Sequence, residues 1–120
     1  VGNPHAITFE SYDEAAIDRI GPEVATTPSE GTNVEFCRVD GRDRIAVTVW
    51  ERGVGRTQAC GTGACAVAAA ACDAGRSSFG APIMVALPGG ELEITVAPGT
   101  RALSMRGPAR RVFSGEVVLP

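Results

Sequence analysis

Apolar and polar positions change period several times along these 120 residues. Ala6-Ile7-Thr8-Phe9 is an apolar, strand-like run close to the first residue. Asp13 to Ile20 has helical spacing, with Ala15, Ala16, Ile17 and Ile20 on the inner side. Ser11 or Asp13 can cap it, and Gly21-Pro22 is expected to stop it. A polar loop follows from Thr26 to Gly31. Asn33 to Val39 reads as a strand of mixed alternation, and Asp40-Gly41 is a hairpin-turn signal. Arg44 to Trp50 alternates cleanly: Ile45, Val47 and Val49 share one face, and Ala46, Thr48 and Trp50 share the other.

Gly61 to Ala74 breaks the strand rhythm. Ala64, Cys65, Ala66, Val67, Ala68 to Ala71 and Cys72 are apolar on every side, so this helix is expected to be buried all round. Its side chains are nearly all small, which lets neighbouring backbone pack close. The remainder is strand-like again: Ile83 to Leu87, the turn Pro88-Gly89-Gly90, then Glu91 to Val96, expected to be half exposed. Pro98-Gly99 turns the chain, Ala102 to Arg106 is short, and Arg110 to Leu119 closes it. The predicted class is α+β, with a mostly antiparallel curved sheet wrapped around one buried helix that starts near Cys60.

Composition narrows the possible chemistry. The length suits about one domain with a moderate core. A net charge of −3 gives no broad basic face for nucleic acid. No apolar run reaches the roughly 20 residues that span a bilayer. Every basic residue is Arg, so a lysine Schiff base to pyridoxal phosphate is excluded within this chain. Cys37, Cys60, Cys65 and Cys72 include no CxxC, and the single histidine, His5, is far off in sequence, which argues against a structural zinc site. Three of the cysteines share one helical stretch, where disulfide geometry is rare. Free thiols in a reducing, cytoplasmic setting are the expectation. The start Val1-Gly2-Asn3-Pro4-His5, with no initiator Met and a strand directly behind it, suggests a piece of a longer protein.

Candidate chemistry concentrates between Trp50 and Ala66. A strand ends in Glu51 and Arg52, a glycine-rich loop follows, and Cys60 stands at the mouth of the apolar helix. Unpaired N–H groups and the positive end of the helix dipole lie there. Both favour thiolate, and the N–H groups of Gly61, Thr62 and Gly63 suit a carboxylate or phosphate. The stretch thus predicts a reactive thiol beside an anion site. Cys37, Cys65 and Cys72 read as packing. Taken alone, Glu51 and Arg52 are also solvated charges, His5 a surface residue in a turn, and Asn33 an edge amide.

The words Glu51-Arg52-Gly53-Val54-Gly55 and Ala59-Cys60-Gly61-Thr62-Gly63-Ala64, with Gly2-Asn3-Pro4-His5 upstream and Asn33-Val34-Glu35 between, resemble the C-terminal half of the diaminopimelate epimerases. The resemblance runs over essentially the whole chain. It implies a hot-dog-like half-barrel and interconversion of LL- and meso-diaminopimelate without pyridoxal phosphate or metal. Two cysteines on opposite faces of the α-carbon exchange its proton in that family, and Cys60 matches the second. Gly61 and Thr62 match the donors to the reacting carboxylate, and Glu51 an acceptor for substrate ammonium. Arg52, Asn3 and Asn33 match groups at the distal amino-acid end. His5 matches a supporting residue beside the reacting centre. The family's first catalytic cysteine, in a Cys-Gly-Asn-like motif, has no counterpart here. The resemblance therefore implies a missing N-terminal domain, against which residues 110–120 would pack, and an isolated chain without full activity. Homodimers are common in the family, but nothing in this sequence shows one. A proline racemase, a PhzF-like isomerase, a carboxylate-binding module or a redox-sensing thiol domain stay open as alternatives.

Overall fold

A computed structural model describes residues 2–120; Val1 lies outside the described residues. The element order is β1 (His5–Thr8), α1 (Glu14–Thr26), β2 (Asn33–Gly41), β3 (Arg44–Glu51), β4 (Gly55–Thr57), α2 (Gly61–Asp73), β5 (Ile83–Leu87), β6 (Gly90–Val96) and β7 (Leu103–Arg106). The strands form one curled sheet in the order β1-β2-β3-β5-β6-β7, with β4 also on β3. Pairing is antiparallel for β2–β3, β3–β4, β5–β6 and β6–β7, and parallel for β1–β2 and β3–β5. This is the expected α+β half-barrel around α2.

The core forms where the alternation predicts it. Ile45, Val47 and Val49 of β3 join Ile83, Val85, Ile94 and Val96 around Ala64, Val67, Ala68 and Ala71 of α2. Small side chains on α2 let the strands approach the helix axis. The helix is not buried all round, however. Ala66, Ala69 and Ala70 are only half-buried and Thr62 is exposed, because the sheet curls over one side of the helix. The other face of the sheet is covered by α1, which packs Ile17 and Ala25 against Val34, Phe36 and Trp50.

Asp13 caps α1, accepting from the Ala16 N–H at 2.7 Å. The helix then runs through Gly21-Pro22 to Thr26, past the expected stop. Proline in a helix interior removes one backbone bond and crowds the preceding turn. Tertiary packing outweighs that cost here. A Cβ at Gly21 would stand 2.7 Å from the Trp50 ring, so the glycine is what lets the helix lie flat on β3. Val24 and Ala25, beyond the proline, complete the same apolar face.

β5 and β4 share one edge of β3: β5 pairs with residues 44–46 and β4 with residues 49–51. Strand β4 is too short and polar to show in the alternation. It turns the chain back after Glu51, and Arg56 ties it to Asp18 and Glu14 of α1. The chain then reaches Cys60 past the β5–β6 turn, where Gly89 N–H donates to the Gln58 carbonyl at 2.7 Å. Residues 107–120 carry no regular structure. The expected closing strand is not formed, and Val112, Phe113, Val117, Val118 and Leu119 are exposed. No strand of the described sheet pairs with them.

Candidate active site

The chain start, β2 and the loop before α2 meet at the N-terminal end of α2. Cys60 is its N-cap residue, with extended backbone, and is 9% exposed. Gly63 N–H donates to Cys60 Sγ at 3.3 Å, and the Thr62 hydroxyl lies 3.6 Å from the same sulfur. A cap whose acceptor is sulfur places the thiol against the positive end of the helix. The Gly61 and Thr62 N–H groups, first in the helix, fall outside its own bonding pattern. Thiol and anion-binding groups thus stand together.

β1 and β2 supply the next residues. Asn3 Nδ2 donates to Thr62 Oγ1 at 3.2 Å, joining the chain start to the α2 mouth. His5 lies in register with Asn33, and Asn33 Oδ1 accepts from Arg52 N–H at 2.9 Å. That bond fixes the turn after β3. The Arg52 guanidinium donates to the Glu30 carbonyl, and its stem runs closely over Gly31. Glu51 Oε1 accepts from the Thr57 hydroxyl at 2.7 Å, so β4 orients this carboxylate. Of the eight predicted residues, Asn3 lies just ahead of β1, His5 on β1, Asn33 on β2, Glu51 and Arg52 at the β3 end, and Cys60, Gly61 and Thr62 at the α2 mouth. Asn3 stands with Thr62, whereas Asn33 stands with Arg52.

Glu35 was not singled out from the sequence. Its side chain is 0% exposed, and its Oε1 lies 2.7 Å from His5 Nδ1, itself on a side chain 3% exposed. Burial pushes the Glu35 carboxyl above its ordinary value of 4.5; the bond to His5 and its charge pull it back, and the charge of Glu51 pushes it up. A Cβ built on Gly63 would meet Glu35 Oε1 at 2.7 Å and Cys60 Sγ at 3.1 Å. Carboxylate and thiol therefore both crowd the space beside this glycine. The signal available beforehand was an acid on the β2 face that also carries Asn33 and Cys37.

All four cysteines are free and buried. Burial, with a smaller contribution from the Glu35 charge, pushes the Cys37 thiol up to about 12. Burial also raises Cys65 and Cys72. These three are held as thiols, while Cys60 has the helix N-terminus and the Gly63 N–H beside it. Among the described residues no group of three or more His, Cys, Asp or Glu is placed to hold a metal ion. No helix there is long and apolar enough to cross a membrane.

Comparison with known proteins follows the same outline. The family model described as diaminopimelate epimerase matches residues 1–112. The diaminopimelate epimerase of Sphingopyxis alaskensis is 50% identical over 119 residues, covering 97% of this chain and 43% of that protein. That of Synechocystis sp. is 48% identical over 119 residues, covering 97% of this chain and 42% of its own length. The chain thus spans less than half of these relatives. A phenazine biosynthesis protein of the PhzF family from Bacillus anthracis shares the fold, with a TM-score of 0.67 at 19% identity over 87% of this chain and 34% of that one.

Proposed function

The chain belongs to the diaminopimelate epimerase family, and from that premise we propose that it forms one wall of a two-base site interconverting LL- and meso-diaminopimelate. The observation that carries the reading is Cys60 as N-cap of α2, its sulfur 3.3 Å from a backbone N–H and beside the free donors of Gly61 and Thr62. An α-proton next to a carboxylate is very weakly acidic. Its removal builds charge on that carboxylate, and donors fixed beforehand stabilise the charge without reorganising. Gly61 and Thr62 supply them. Cys60 takes or returns the proton on one face of the carbon. Glu51, oriented by Thr57, meets the substrate ammonium. Arg52 and Asn33 hold the distal end, where an Arg fork suits a carboxylate. Asn3 orients Thr62 at the mouth.

Inversion needs a second acid–base group on the opposite face. Cys37, Cys65 and Cys72 are buried, with raised thiols, so that group belongs to an N-terminal half. The exposed apolar side chains of Val112, Phe113, Val117, Val118 and Leu119 suit packing against the same half. The test is conversion of LL- to meso-diaminopimelate, with α-proton exchange followed in D2O. The full-length protein is expected to convert the substrate, and the isolated 120-residue chain is expected not to. Normal turnover by the isolated chain, or none by the full-length protein, would sink the reading.

A further inference from the structure

The Glu35–His5 pair has a definite geometry and no assigned purpose. We propose that Glu35 is a positioning residue: it holds the proton of His5 on Nδ1 and so leaves Nε2 a bare, enclosed acceptor. What that acceptor meets rests on the epimerase reading above; the proton placement does not.

The contact atom decides where the proton sits. His5 reaches Glu35 through Nδ1, with Oε1 at 2.7 Å. A carboxylate only accepts, so the hydrogen between them comes from the ring. A neutral imidazole has one N–H, and with that proton on Nδ1 the other nitrogen carries a lone pair. Nε2 is shut off from water and has no partner among the described residues. The helix beside it favours Glu35 as an acceptor, against the burial and the Glu51 charge that raise its carboxyl. It lies against the first turn of α2 at Gly63, and the positive end of a helix favours an anion. The other ionisable groups around the pair are Cys37 on β2, Glu51 at the end of β3 and Cys60 at the mouth of α2. None of them adds a cation that would compete for Oε1.

The placement sorts the chemistry of the mouth. The Gly61 and Thr62 N–H groups can only donate and take an anion. A bare Nε2 takes a donor, such as an ammonium or a thiol, and turns a carboxylate away.

The test uses the full-length protein labelled with 15N-histidine, with His5 assigned by its loss in His5→Gln. At pH 9 the wild type is expected to show a protonated Nδ1 and a bare Nε2. The reverse pattern would overturn the proposal, and this reading needs no variant to fold. In Glu35→Gln the amide N–H can donate to Nδ1, so the proton is expected to move to Nε2, as in a triad whose Asp becomes Asn. An unchanged ring pattern counts against Glu35. In epimerisation the variant is expected to lose about 10- to 100-fold in kcat, with KM held within about twofold. A moved proton with unchanged kcat would refute the catalytic consequence. The expected ring pattern in a protein that epimerises nothing would sustain the proton placement and remove the epimerase reading.

Discussion

Gly63→Ala separates stability from chemistry in one methyl group. Gly63 lies in the first turn of α2 and is absent from the glycines with positive φ, so alanine meets no backbone strain. The added Cβ would stand 2.7 Å from Glu35 Oε1, 3.1 Å from Cys60 Sγ and 3.4 Å from Cys60 Cβ. Ordinary contact starts at 3.4 Å, so Oε1 must retreat and Sγ must give by a few tenths of an ångström. Oε1 is pinned to His5 at 2.7 Å, so the ring moves with it. Overpacking of this kind costs about 1–3 kcal/mol. Alanine in place of glycine returns about 1 kcal/mol of helix propensity. The net destabilisation is about 0–2 kcal/mol, a Tm shift of a few degrees. Catalysis suffers more, because misplacing reacting groups by about 1 Å costs about 100-fold, or about 2.7 kcal/mol of barrier. Thermal melts and kcat/KM on the full-length protein read the two effects separately. Gly2→Ala, where a Cβ meets nothing within 4 Å, is the control and should leave both unchanged. A folded Gly63→Ala enzyme within threefold of wild-type kcat/KM would refute the account of this crowded first turn.

Cys60→Ser is expected to melt within a few degrees of wild type, because serine is a favoured N-cap and its hydroxyl can accept from Gly63 N–H. The same change should lower epimerisation by about 10²- to 10⁴-fold, since a hydroxyl is a far poorer acid–base group than a thiol; retained activity would remove Cys60 from the mechanism. Alkylation by iodoacetamide at pH 8, followed by peptide mass spectrometry, is expected to modify Cys60 first. Cys37, with its thiol pushed up to about 12 and 4% exposed, should stay unmodified until the protein is unfolded. Labelling of Cys37 ahead of Cys60 in the native protein would contradict both assignments.

Most of the frame was legible in the sequence because period and burial agree there. Ile45, Val47 and Val49 face α2 as their spacing predicts, and the small-residue run becomes the central helix. Cys60 could be placed at the helix mouth because glycines follow it directly. Other features depend on distant partners. Helix α1 continues through Pro22 because Trp50, from β3, offers a surface that only Gly21 can approach so closely. Strand β4 exists because Glu51 to Gly55 turns the chain back on β3, an event of three residues with no periodic signature.

Glu35 shows most sharply where reading by period stops. In a strand with one wet face, Val34 and Phe36 would mark the inside and Glu35 the outside. Strand β2 has no wet face over this stretch: residues 33–37 are all buried, with α1 over Val34 and Phe36 and the α2 core over Cys37. An acid on the inner side of such a strand must be hydrogen-bonded or it costs several kcal/mol. Its partner is the only histidine in the chain, brought alongside by the parallel β1–β2 pairing. Apolar side chains of similar volume would fill the same space without that requirement, and such replacements of buried ionic pairs are often neutral or stabilising. Packing alone therefore does not account for Glu35 and His5. Their position against Gly63, beside which the Cys60 sulfur also lies, sets this buried pair next to the thiol proposed to react.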